Sequence, residues 1–273
     1  MTAPIKTGPK RVFLMYHELE IPGRALCQSE PGYLRYVVTR DDFRNQMSFI
    51  RSDGWRAVNV SDSFSQPESP AVVITFDDGC ETDLLCAAQM LKEAHFGATF
   101  YVTVGFLGKP GYMSVSQLRQ LSDQGFEIGC HSWTHPYLTD LDLNDPDLKE
   151  LRHEIGDAKS RLEELTGRKV NHFSCPGGRW DDRAVKVAQE SGYLTFATSR
   201  THANTSTTDP FALGRVPIMR GTELKAFAAI CRGQGLRQMR LANSARETAR
   251  NLLGNSTYDR IRGALLNRTG GQN

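Results

Sequence analysis

The run Ala71-Val-Val-Ile-Thr-Phe-Asp-Asp-Gly79 fixes the reading of this chain. Residues 71–76 are apolar or β-branched without interruption, the pattern of a strand covered on both faces, as in a parallel sheet. Two carboxylates and a glycine end it. Apolar runs at 11–16, 98–104, 126–130, 172–175 and 194–198 alternate with helical stretches near 83–95, 114–124, 147–166 and 182–191. Gly97, Gly125, Gly167 and Gly192 punctuate the helix ends. This alternation predicts βαβ units, hence an α/β fold on a parallel sheet whose site gathers at strand C-termini. Asp77-Asp78-Gly79, the pair His131/His135 in Cys130-His-Ser-Trp-Thr-His-Pro136, and the Cys175-Pro-Gly-Gly178 turn all fall at such ends.

The remaining segments fit around that core. Thr39 with Asp42 three residues on predicts a capped helix running to about Ser52, where Asp53-Gly54 stops it. Trp55–Val60 reads as a further strand, and Ser65–Pro70 as a loop. Residues 222–267 read as helical, with a Tyr258, Ile261, Leu265 stripe. We therefore divide the chain into a barrel domain, 1–221, and a basic helical C-terminal extension, 222–273. That extension packs on the barrel with its arginines in water, or lies on a surface as a basic amphipathic helix.

Composition excludes several classes. A net charge of +2 gives no general attraction for nucleic acid. The charge is uneven: residues 232–273 carry eight Arg against Glu247 and Asp259, which makes them +6 and the rest −4. No run reaches the ~20 apolar residues a membrane helix needs, and the N-terminus shows no signal-peptide core. Six Cys, at 27, 80, 86, 130, 175 and 231, lack the spacing of a disulfide scaffold. These features predict a cytoplasmic protein with reduced thiols. Cys80, Cys130 and Cys175 adjoin motif residues. They read as compact buried fillers, or as thiols that compete for zinc or respond to oxidation.

The motif residues have a chemistry of their own. A catalytic zinc takes three protein ligands from His and carboxylate and keeps one position open for water. Asp78, His131 and His135 meet that requirement, and Asp77 beside them can serve as general base. Adjacent residues of an extended strand point to opposite sides, so the turn at Gly79 must bring both carboxylates together. Pro136 and the Gly129-Cys130 approach favour a loop, not a helix, for the His pair.

Thr75-Phe-Asp-Asp-Gly79 and His131-Ser-Trp-Thr-His-Pro136 resemble the first two signature motifs of the polysaccharide deacetylases, the NodB-homology or carbohydrate esterase family 4 group. The resemblance spans about residues 11–220. It implies a deformed (β/α)7-type barrel that removes N-acetyl groups from amino sugars with a divalent metal. Zn²⁺ is the first expectation, and Co²⁺, Ni²⁺ or Mn²⁺ are the others. Residue by residue, Asp77 matches the base, and Asp78, His131 and His135 match the metal ligands.

Two departures matter. Relatives commonly have Phe-Arg-x-Pro-Tyr-Gly where this chain reads Phe173-Ser-Cys-Pro-Gly-Gly178, so the Arg that braces the base is Ser174 here. Arg179 or Arg215 could supply the cation. Arg215, in Leu213-Gly-Arg-Val-Pro-Ile218, is favoured from the resemblance to relatives that lack the motif Arg. The late Leu-x-His motif is also missing. Tyr16-His17 resembles the poly-N-acetylglucosamine deacetylase branch, which carries its acid on an early strand, so His17 is the candidate acid. Pro176, Gly177, Gly178 and Trp180 are the expected substrate wall. His172 and His202 are placed near the barrel top without an assigned role.

Tyr112-Met-Ser114 and Leu252-Leu-Gly-Asn-Ser-Thr-Tyr258 resemble deacetylases associated with exopolysaccharide assembly. The expected partner is an N-acetylated glycan or a lipid-linked precursor at the inner membrane face, with the basic C-terminus suited to peripheral association with membrane or assembly machinery. The competing readings are a small-molecule amidohydrolase of cyclic amides or ureides, an O-acetyl esterase and a silent glycan-binding module.

Overall fold

A computed structural model describes residues 10–65 and 71–241. The expected Tyr258, Ile261, Leu265 stripe and the Leu252–Tyr258 stretch lie outside the described residues. Eight parallel strands form the main sheet: β1 (Val12–Tyr16), β4 (Arg56–Val58), β5 (Ala71–Phe76), β6 (Thr99–Val102), β7 (Glu127–Cys130), β8 (His172–Ser174), β9 (Thr195–Ala197) and β10 (Val216–Pro217). A small separate pair joins β2 (Leu19–Glu20) to β3 (Val38–Thr39).

The order β10-β1-β5-β6-β7-β8-β9 curls into the deformed (β/α) barrel. β1 pairs β5 from Val12↔Val72 to Tyr16↔Phe76. β4 takes Ala71–Val73 and β6 takes Thr75–Phe76, so two strands share one edge of β5. Residues 213–217 bridge the two ends of the sheet: Leu213 bridges Ala197 on β9, and Val216 pairs Leu14 on β1.

Period-two alternation sorts the side chains into two layers. Val12, Leu14, Tyr16, Val72, Ile74, Phe76, Phe100, Val102, Phe173 and Phe196 point outward into the main core, against the helices. Phe13, Val58, Val73, Tyr101, Ala197 and Leu213 fill the barrel. Gly129 is small because Tyr101 occupies its side-chain space: an added Cβ would lie 2.4 Å from the Tyr101 ring. Across the strand tops, Tyr16, Phe76 and Phe100 stack in a row at 5.2 and 4.9 Å, with Phe43 set edge-on against two of them. Such ring pairs contribute about 0.5–1.5 kcal/mol each beyond area burial. They hold the residues just before His17 and Asp77.

Polar residues close the barrel floor. Glu127 on β7 lies 3.3 Å from His172 Nε2 and accepts from the Val60 and Ser61 amides and from Thr99 Oγ1. His172 also meets Ser61 Oγ at 2.8 Å and Thr195 Oγ1 at 2.9 Å. His172 opens β8, so it belongs to the floor and not to the top where its spacing suggested. The reason is register: the apolar run 172–175 starts at the strand's N-terminal end.

The helices follow their caps. Thr39 Oγ1 accepts from the Asp42 amide at the start of Arg40–Ser52, and Ser114 with Gln117 forms a full capping box for Val115–Asp123. Within the stretch read as helical from 222, the helix Leu224–Cys231 ends at Arg232, and Gly233 and Gly235 adopt φ of +70° and +72°. Phe227, Ile230 and Cys231 are buried in the main core, with Phe227 edge-on to Phe49. This helix therefore packs against the barrel's outer layer. No helix among the described residues is long and apolar enough to cross a membrane.

Gly129→Ala should lower the unfolding free energy by about 1–3 kcal/mol through overpacking on Tyr101, read from urea midpoints. The floor predicts a pH dependence. Burial raises the Glu127 carboxyl, and the hydrogen bond and charge of His172 with Ser61 and Thr99 more than offset this, holding it below its ordinary 4.5. A carboxyl held low stabilises the fold above its unfolded value and loses that contribution as pH falls through the folded value. Stability should therefore fall less steeply below about pH 4.5 in Glu127→Gln than in the parent chain. Parallel urea midpoints for the two proteins between pH 5 and about 3 would refute this.

Candidate active site

Strand β5 delivers Asp77 into the barrel mouth, where Tyr16 O accepts from its amide at 2.9 Å. The next residue leaves the extended path: Asp78 has φ +79° and Gly79 φ +83°. A non-glycine residue in that region is uncommon and strained. Here the left-handed turn defeats strand alternation, so both carboxylates reach one pocket. His131 Nε2 lies 3.9 Å from Asp77 Oδ2 and 3.5 Å from Asp78 Oδ1, and His135 Nε2 lies 3.4 Å from Asp78 Oδ1.

The loop after β7 aims both imidazoles. Ser132 (φ +67°) and His135 (φ +69°) are left-handed, and Ser132 Oγ accepts from the His135 amide at 2.9 Å. Glu154, buried on a neighbouring helix, accepts from the Trp133 and Thr134 amides at 2.9 and 2.8 Å and from Thr134 Oγ1 at 2.6 Å. Glu154 is a positioning residue that the local sequence did not reveal, because its partners lie about twenty positions away. Ser174 O accepts from His131 Nδ1 at 2.8 Å, which leaves the Nε2 lone pair facing the carboxylates.

Arg215 is fully buried and grips Asp77 with both arms, Nη1 to Oδ1 at 2.7 Å and Nη2 to Oδ2 at 2.8 Å. Its Nη2 donates to Ser174 Oγ at 2.6 Å, and its Nε donates to Thr198 O at 3.1 Å. The space where the motif Arg would stand thus holds a serine hydroxyl, with the guanidinium arriving from the segment before β10. Arg179 is stacked over Tyr137 at 3.5 Å instead. Burial pushes the Asp77 carboxyl up, but the charges of Arg215, His131 and His17 reverse this and hold it well below the usual carboxylate range. Burial pushes His131 down to about 4, a shift opposed by Asp77 and reinforced by His135.

Asp78, His131 and His135 offer donor atoms all within 4.8 Å of one another, and buried Asp78 Oδ1 has no hydrogen-bond partner. A buried carboxylate oxygen facing two imidazole nitrogens with no donor fits a bound cation. His17 follows β1. Its ring lies 4.8 Å from Tyr36, its Nδ1 is buried without a partner, and its charge reaches Asp77. Pro176 is buried; Gly177 (φ +59°) faces the Tyr137 ring and Gly178 (φ +65°) faces Ser199. Trp180 packs on Phe196 at 5.9 Å, with the Arg200 guanidinium 4.7 Å over its ring. Phe106, 5.7 Å from His135 and 4.6 Å from Tyr112, forms an aromatic wall the motifs did not suggest.

A parallel α/β barrel with an Asp-His-His cluster at its strand tops belongs to the hydrolase class of such barrels. Comparison with known proteins narrows the class. Residues 65–196 match the polysaccharide deacetylase family model, which makes this a polysaccharide deacetylase-like hydrolase. YxkH of Bacillus subtilis, named for polysaccharide deacetylation, is 24% identical over 226 residues, 81% of this chain and 75% of that one. PdaA of the same species, a peptidoglycan-N-acetylmuramic acid deacetylase, is 26% identical over 45% of this chain, which spans 44% of its length. The fold is that of the Streptococcus pyogenes deacetylase PplD (TM-score 0.71, 20% identity, 82% of this chain and 99% of that one). IcaB of Ammonifex degensii is also similar (TM-score 0.67, 23% identity, 82% and 97%).

Arg215→Met leaves Asp77 buried and unpaired and should cost about 3–5 kcal/mol of stability. Adding Asp77→Asn should recover part of that loss in thermal unfolding. Ser174→Arg, which places a second guanidinium against Arg215, should remove turnover. The exchange Ser174→Arg with Arg215→Ser should restore some of it, and a fully active Ser174→Arg single variant would contradict the pairing.

Proposed function

We propose that this chain is a metal-dependent deacetylase that hydrolyses N-acetyl groups of amino sugars in a polysaccharide, an oligosaccharide or a lipid-linked glycan precursor. One observation carries the reading: two adjacent carboxylates have opposite settings. Asp77 is locked to Arg215 by two charge-assisted bonds, whereas Asp78 turns a partnerless oxygen toward two imidazole nitrogens.

Asp78, His131 and His135 would hold the divalent ion, and their nitrogen and oxygen donors suit Zn²⁺ first, then Co²⁺, Ni²⁺ or Mn²⁺. When bound, the ion supplies a Lewis acid and lowers the pKa of water at the site. Arg215 keeps Asp77 ionised and oriented, so its carboxylate is ready to take the proton of the attacking water. A carboxylate held this low is a weak base, and fixed geometry makes up for part of that weakness. Water adds to the acetyl carbonyl carbon, and the carbon–nitrogen bond then breaks. His17 delivers a proton to the departing nitrogen, and the products are acetate and a free amine. His135 is half-exposed while Asp78 and His131 are buried, which supports substrate entry from the His135 and Phe106 side. The +6 charge of residues 232–273 supports work at the inner face of a membrane.

Acetate release from a panel of N- and O-acetylated glycans and precursors tests the reading. Release from N-acetylated members should vanish on chelation, return with Zn²⁺ or Co²⁺, and be absent in Asp77→Asn. His17→Ala should keep its metal content and lose about 10²–10⁴-fold in turnover. Release from O-acetyl members only would make the chain an esterase. No release with the ion bound would leave a ureide amidohydrolase or a silent glycan binder.

A further inference from the structure

Among the described residues a second set of side chains has metal-ligand geometry: Glu18, Cys27 and Cys80, whose ligand atoms all lie within 4.8 Å of one another. Three separate segments supply them. Glu18 follows His17 and is fully buried, Cys80 follows the Asp77-Asp78-Gly79 turn and is fully buried, and Cys27 comes half-buried from the loop between β2 and β3. The two sulfurs are 3.5 Å apart, and Cys27 Sγ also donates to Gly111 O at 3.1 Å. The Cys27 amide donates to both Glu18 oxygens at 3.1 and 3.0 Å. Tyr33 Oη donates to Glu18 Oε2 at 2.9 Å and lies 3.5 Å from Cys80 Sγ.

Asp83 adds an independent observation. It is fully buried at the start of a wide π-type turn, and neither carboxylate oxygen has a hydrogen-bond donor. Its strongest charged neighbours are Cys27, Asp78, Glu18 and Asp77, every one acidic. Arg24, whose charge acts on Glu18, is itself ion-paired to Glu81. Buried acidic groups gathered without a matching cation are costly, and two sulfurs with a carboxylate form a borderline-soft donor set.

We propose that Glu18, Cys27 and Cys80 bind a second divalent ion of the zinc type, with the Asp83 carboxylate completing the negative charge around it. Binding replaces two S–H bonds by two metal–sulfur bonds and releases two protons, with no change of oxidation state. The ion ties the loop carrying Cys27 to the turn carrying Asp78. That turn is otherwise held by the Cys80–Tyr112 bridge and the Met113 amide on Gly79 O. Its role is positional: through Cys80 it holds the turn that carries the left-handed Asp78. The site stands independently of the deacetylase reading.

The test is cobalt loading of the full chain, purified under reducing conditions, followed by metal analysis and absorption spectroscopy. Expected are about two ions per chain and an ultraviolet thiolate-to-cobalt charge-transfer band. The Cys27→Ser/Cys80→Ser variant should lose the band and bind about one ion, while His131→Ala/His135→Ala should keep the band. Cys27→Ser alone changes only a half-buried loop residue and should lose the band with the metal-free melting temperature unchanged. A parent chain without the band overturns the proposal, as does a band that survives Cys27→Ser/Cys80→Ser. Recovery of Cys27 and Cys80 as a disulfide from reducing buffer overturns it as well and makes the pair a redox couple.

Discussion

The buried pair between Asp77 and Arg215 organises the mouth of this barrel. Either group alone would be an isolated charge in the interior, which costs several kcal/mol even after relaxation. Together they satisfy one another through two short bonds, and the remaining guanidinium donors are taken by Thr75, Ser174 and Thr198. The pair links the end of β5 to the segment before β10, the same segment that bridges both ends of the sheet. Barrel closure and the setting of the proposed base are therefore one interaction.

Around that pair the structure separates rigid supports from reactive groups. Stacked Tyr16, Phe76 and Phe100 fix the strand tops from outside, and Glu154 fixes the His loop by its backbone. Neither touches the Asp78 cluster in a way that consumes its lone pairs. His131 is bound only through Nδ1, and Asp78 Oδ1 is left bare. Left-handed backbone at Asp78, Ser132 and His135 concentrates strain in the two loops that aim these ligands.

Much of this was legible beforehand because it rests on local periodicity. The strands at 12–16, 71–76 and 99–102 appear as uninterrupted apolar or β-branched runs, since parallel strands are covered on both faces. Caps at Thr39 and Ser114 announced their helices. Arg215 was named from its motif context, and its guanidinium lies on Asp77. His172 was misplaced because an apolar run shows where a strand is but not which end a residue occupies.

By itself, the sequence determined the alternating architecture, the two carboxylates at one strand end and the paired imidazoles, since each is a short-range pattern read within a few residues. Tertiary structure decided between Arg215 and Arg179 as the partner of Asp77, and it alone brought Glu154 to the His loop and Cys27 to Cys80 and Glu18. The physical reason is that such partners are brought together by barrel closure and loop docking, and spacing along the chain carries no signal of either.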